Sequence, residues 1–181
     1  MTDTLTLTFR SHECNGYPKA RICVNGNLVC DHSFTQDVED ITIAIDSVQE
    51  FNTLTVERYG KENHHMVFEN NQILKDQVLE IIGGRVRSAR LPDYIFDKHS
   101  CFEFHGQVHP GSRYFGPNGT WTFKFGSPVV TWALDQKILQ EAEYNQDFQY
   151  AWSTQLGPDS AVNILKELAQ VREKLEKSDI K

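Results

Sequence analysis

The sequence predicts a mainly β protein: an antiparallel β-sandwich of jelly-roll or lectin-like type, carrying an α-helical C-terminal arm. Three observations lead there. Apolar and polar residues alternate over short runs between Leu5 and Val86. Turn-forming residues separate those runs at spacings of about 8–12 residues, as in sandwiches. After Asp135 the apolar period lengthens from two residues to three or four. No helical period falls between the early runs, which excludes a parallel α/β sheet.

The elements follow in order. Thr4 to Arg10 alternates, with Leu5, Leu7 and Phe9 on one face. Ser11 to Pro18 is a loop. Lys19–Val24 and Leu28–Ser33 form a hairpin across VNGNLV, because Asn-Gly accepts the positive φ that tight hairpin turns demand. Glu39 to Asp46 places Ile41, Ile43 and Ile45 on one face. In Leu54 to Tyr59, Leu54 and Val56 point one way and Thr55, Glu57 and Tyr59 the other. The polar KENHH of residues 61–65 interrupts, Met66 to Phe68 resumes, and Glu69-Asn70-Asn71 reads as a reversal. A longer strand, Val78 to Val86, is expected to close at Gly83-Gly84.

A soft boundary falls near Leu91, so residues 1–91 are expected to form the sandwich core and 92–134 to complete or flank it. In that second part Pro92 ends the preceding run, and Cys101 to Gly106 is a short strand. VHPGSRYFGPNG is a loop over Val108 to Gly119, and Thr120–Phe125 and Val129–Leu134 are strands around Gly126-Ser127-Pro128. Trp121, Phe123 and Phe125 share a face, as do Trp132 and Leu134. Residues 135–181 are the arm. Asp135 caps a polar helix to about Asn145, an aromatic connector holds Phe148, Tyr150 and Trp152, and Gly157-Pro158 breaks the chain. In the last helix Ala161, Ile164, Leu168, Val171 and Leu175 make a heptad seam widened by Leu165. Two heptads are too short for a free coiled coil, so Ile164, Leu165, Leu168, Val171 and Leu175 are expected to bind a partner.

Composition narrows the class. An aromatic content of 11% does not fit a disordered chain, and a net charge of −7 does not fit a non-specific nucleic-acid binder. No apolar run approaches the roughly 18 residues of a membrane span. MTDTLTLTF lacks the basic and apolar regions of a signal peptide, so synthesis and folding in a cytoplasm are expected. Cys14, Cys23, Cys30 and Cys101 show no CxxC spacing. If Gly26 and Asn27 are the turn residues, Cys23 lies opposite Cys30, but free thiols fit that compartment better.

Candidate chemistry is sparse. His99, Cys101, His105 and His109 lie close in sequence, yet no structural metal spacing is present, and strand and loop histidines account for them. His64 and His65 sit in a polar turn. Glu57, Glu69 and Glu80 have the chemistry of an acid–base pair for glycoside hydrolysis, but strand carboxylates usually form the solvent face, and no GxSxG elbow occurs, so no catalytic residue is assigned. Arg113, Tyr114, Phe115 and Trp121 form a candidate ligand or partner loop: aromatics among Gly and Pro stack on sugars or seat in a partner, or else plug the end of the sandwich. Arg85, Arg87 and Arg90 read as a solvated strand end.

The run from Lys19 to Val86 holds VNGNLV, ITIAID, LTVERYGKE and ILKDQVLEI. It resembles the β-sandwich modules of the calcium-dependent xylan-binding type. It is more similar still to β-sandwich proteins of tailed bacteriophages, including cyanophages, in which L-x-V-x-x-Y-G-K is followed by I-x-x-D and a long strand. The resemblance covers a little over a third of the chain. It implies a non-enzymatic virion protein, decorating a capsid or fitted into a neck, tail or baseplate, with other virion proteins or further copies of itself as partners. The alternative it implies is a carbohydrate-binding module for surface glycans, with calcium as the one cofactor to consider. The calcium ligands of the xylan-binding type do not map one by one onto this sequence, so no metal residue is assigned.

Overall fold

The computed structural model describes residues 2–46, 49–87 and 89–136. The predicted arm seam, Ile164 to Leu175, lies outside these residues. Residues 1–134 form one compact unit, and residues 135–181 are assigned to a second.

The first unit is an antiparallel β-sandwich. One sheet is built from β1 (Thr2–His12), β4 (Val38–Asp46), β8 (Val78–Val86), β9 (Ala89–Arg90) and β12 (Tyr114–Phe115). Its order is β12-β8-β1-β4, with β9 added to β8. The other is built from β2 (Lys19–Val24), β3 (Asn27–Ser33), β5 (Phe51–Tyr59), β10 (Ser100–Phe104), β11 (Gln107–Pro110) and β13 (Gly119–Gly126). Its order is β11-β10-β13-β5-β2-β3. A separate hairpin joins β6 (Met66–Glu69) to β7 (Gln72–Asp76). Its Asn70 and Asn71 take φ of 51° and 63°, as the reversal requires.

Register turns the sequence alternation into a core. Antiparallel partners share a face, so Leu7 meets Ile41, and Leu5 meets Ile43 and Val86. On the other sheet Ile22, Val56, Trp121 and Phe102 form one row across four strands, and all four are buried. Each such side chain contributes about 1.5–3 kcal/mol on leaving water. β13 lies between β10 and β5, so the segment after Leu91 is integral to the sheet.

Five local readings change. The turn residues of the first hairpin are Asn25 and Gly26, with φ of 51° and 80°, not Gly26 and Asn27. The register therefore opposes Ile22 to Cys30 and Cys23 to Leu28, and the four thiols are free. Gly83 and Gly84 do not close β8; the strand bulges beside them and continues to Val86. Gly84 is needed there, because a Cβ would stand 2.7 Å from Cζ of Phe96. Phe96 belongs to a helix absent from the sequence reading, α1 (Asp93–His99), which buries Ile95 and Phe96. Pro92 is its N-cap, so this proline opens a helix rather than merely ending a strand. The stretch read as a loop over Val108 to Gly119 contains β11 and β12. Finally, the expected strand Val129–Leu134 is helical from residue 129. Val129, Trp132 and Ala133 turn toward the core at helical spacing while Leu134 stays exposed.

Candidate functional site

β5 runs inward at every second residue: Asn52, Leu54, Val56 and then Arg58 are buried. Arg58 is thus carried by parity into the sandwich, where it is 1% exposed. It is held by carbonyls. Its Nη1 donates to the Gly116 oxygen, and Nη2 donates to the Gln77 backbone oxygen at 2.7 Å and to Gln77 Oε1 at 3.1 Å. Burial pushes its pKa down to about 10, with nearby Asp76 acting against the fall, so the guanidinium stays charged at neutral pH. Gln77, itself buried, donates from Nε2 to the Gly16 oxygen at 2.8 Å.

Beyond Tyr59 the chain turns at Gly60, φ 74°. Lys61 then points back toward the same carbonyl. Its Nζ donates to Gly116 O at 2.7 Å and forms an ion pair with Asp76 Oδ1, with only 8% of the lysine side chain and 18% of the aspartate exposed. The backbone of Lys61 is clamped by Asn118: Lys61 N donates to Asn118 Oδ1 at 2.8 Å, and Asn118 Nδ2 donates to Lys61 O at 3.0 Å. A short 3-10 turn, Asn63–His65, follows, in which Glu62 N donates to His65 Nδ1 at 3.0 Å. Burial, with His64 beside it, lowers the His65 pKa.

These groups wall a cleft of about 390 Å³, lined by Lys61, Glu62, Asn63, Asp76 and Asn118 together with Met66, His105, Gly116 and Pro117. Its volume is within the range of small-ligand sites. Four stretches of the chain meet there, and three of them, at Lys61, Asp76 and Gly116–Asn118, are pinned together by hydrogen bonds.

The predicted loop is dispersed. Trp121 and Phe115 are fully buried, so neither presents a ring to a ligand; both plug the sandwich. Trp121 stacks on Phe123 at 5.7 Å, and Phe115 stacks on Phe102 at 5.0 Å. Arg113 pairs with Asp93 at 3.2 Å and Asp97 at 3.5 Å, which fastens α1. Tyr114 alone of the four is exposed. Of the candidate metal histidines, His99 packs on Trp132, whereas His105 and His109 both lie against Phe104. Among the described residues no three His, Cys, Asp or Glu side chains converge as metal ligands. Glu57 and Glu80 lie on different sheets, the first beside Arg21 and the second beside Arg10. Arg85 pairs with Asp40 at 3.0 Å.

No protein-family model matches the chain, and no curated protein matches it. Two solved structures share its general architecture. One is vCBM60 in complex with galactobiose, 16% identical, with a TM-score of 0.45 over 66% of this chain and 96% of that one. The other is the selenomethionine form of vCBM60, presented in a study of a circular permutation linking two families of calcium-dependent carbohydrate binding modules. It is 14% identical, with a TM-score of 0.45 over 67% of this chain and 89% of that one. Neither likeness points to a phage virion.

Proposed function

We propose that the protein is a carbohydrate-binding module that performs no reaction, and that the cleft between Lys61 and Asn118 receives a neutral glycan. The likeness in fold is too distant to carry a ligand across, so the cleft carries the reading. The decisive observation is the composition of its wall: fixed hydrogen-bonding groups beside two apolar surfaces, Met66 and Pro117. A sugar ring presents the same alternation, hydroxyls at its edge and C–H groups on its face. Lys61 and Asp76 neutralise each other, which favours an uncharged polyol over an anion.

Titration of the full chain with a panel of neutral and acidic oligosaccharides tests this. A neutral oligosaccharide is expected to bind, and Asp76→Asn is expected to weaken it by about tenfold, the value of one good hydrogen bond in a desolvated site. Absence of binding across the panel, or binding indifferent to Asp76→Asn, would refute the assignment.

A further inference from the structure

The resemblance to calcium-dependent modules raises the question of whether this cleft fits calcium. That ion takes about six to eight oxygen ligands, usually several of them carboxylates. The cleft offers five oxygen-bearing groups: the side chains of Glu62, Asn63, Asp76 and Asn118 and the Gly116 carbonyl, of which Glu62 and Asn63 are exposed. Asp76 Oδ1 is taken by the Lys61 ammonium. Gly116 O accepts from both Lys61 and Arg58. Asn118 Oδ1 accepts from the Lys61 backbone. Glu62 is largely exposed and lies 3.4 Å from Nδ1 of His64. Two cationic side chains thus stand within hydrogen-bond distance of the one carbonyl that a metal would have to share. The donor set does not fit.

We infer that the Lys61 ammonium is a built-in cation, taking up the oxygen donors that a calcium ion would need, and that glycan recognition in this cleft is independent of metal. The part concerning recognition rests on the proposed function; the part concerning the cation does not. Lys61 is suited to the role. A metal is lost on chelation, whereas an ammonium on a side chain only 8% exposed is retained at every calcium concentration. It also fixes the Asp76 carboxylate as a metal would, leaving Asp76 Oδ2 to accept from a ligand hydroxyl.

The test separates the two parts. Calcium is titrated calorimetrically into the chelator-treated full chain and into its Asp76→Asn variant, and thermal unfolding is followed with calcium and with chelator. No uptake, or uptake that survives Asp76→Asn and therefore lies elsewhere, supports the inference. Uptake abolished by Asp76→Asn overturns it, whether or not any sugar binds. In Lys61→Ala, propylammonium is expected to raise the midpoint of unfolding by a few °C, as about 1 kcal/mol would, with no such rise in the wild type. An equal rise in both proteins would overturn the built-in cation. Should Lys61→Ala not fold, the wild-type titration still decides. Finally, an oligosaccharide that binds should do so with unchanged affinity in chelator and in calcium. If none binds, the glycan reading fails while the calcium result stands by itself.

Discussion

Arg58→Met offers the most direct test of what organises the cleft. Methionine keeps much of the volume and removes the charge. The substitution deletes three hydrogen bonds from a charged donor, to Gly116 O, Gln77 O and Gln77 Oε1. Bonds of that kind contribute roughly 1.5–3 kcal/mol each, or about 5–9 kcal/mol together. Against this stands the cost of holding the cation out of water. The fall of its pKa to about 10 puts that cost at roughly 3 kcal/mol, and the variant recovers it. Gly116 O also keeps Lys61 as a partner, which softens the loss. The balance is a destabilisation of about 2–5 kcal/mol, dominated by the orphaned Gln77 oxygens. Urea unfolding reads this directly, as a lower midpoint at unchanged slope. A loss below about 0.5 kcal/mol, within the range of an ordinary surface change, would mean that Arg58 is not the keystone of these loops. A variant more stable than the wild type would mean that burying the charge outweighs everything it holds.

Trp121→Ala should cost about 3–5 kcal/mol by leaving a cavity in the row shared with Val56 and Phe102. A variant that loses sugar binding at undiminished stability would return the ring to the surface. Gly84→Ala should destabilise by about 1–3 kcal/mol, because its Cβ would press on Phe96; chemical denaturation showing no change would place α1 elsewhere. His65 has a lowered pKa, from burial first and His64 second, and so prefers the neutral form in the folded state. Its contribution is complete above the ordinary imidazole value near 6.5 and is lost as pH falls through that value toward the folded one. The melting temperature of wild type should therefore drop more than that of His65→Gln between neutral pH and about pH 5. Parallel curves would remove the histidine from the account.

The sandwich was legible because alternation is a local property. Leu5, Leu7 and Phe9, or Ile41, Ile43 and Ile45, declare a buried face without help from the rest of the chain. Trp121 shows what happens when two local readings compete. Its spacing with Phe123 and Phe125 marks a core face, while its place at the end of a Gly/Pro-rich stretch suggests a ligand loop. Burial follows the spacing, because the strand pairs with β5 along its whole length. The helical elements were harder to read. α1 is seven residues long, too short for a period to show, and residues 129–134 carry β-formers whose helical state is set by packing Trp132 over Gly126 and beside Phe123. The candidate site was not legible: 61–65 read as a polar interruption, and Arg113, Tyr114, Phe115 and Trp121 do not line the cleft. Arg58 shares parity with Leu54 and Val56, and Lys61 and Asp76 fall within the quoted L-x-V-x-x-Y-G-K and I-x-x-D patterns. Nothing local ties them to Gly116 and Asn118, which arrive from more than fifty positions away.

That distance has a consequence for how the cleft is built. Segments 58–62, 76–77 and 116–118 do not form it by adjacency; they are brought together because β13 pairs with β5 and β12 with β8. Residues 116–118 connect β12 to β13, one on each sheet, and so bridge the two layers at the edge of the core. A carbonyl on such a bridge has no ladder partner, and the interior offers it no water. Arg58 and Lys61 satisfy it from the end of the facing strand. The same two cations that close the sandwich at this edge therefore also fix the wall of the cleft. Stability and the shape of the cleft cannot be varied independently there, and a substitution that loosens Gly116 should disturb both.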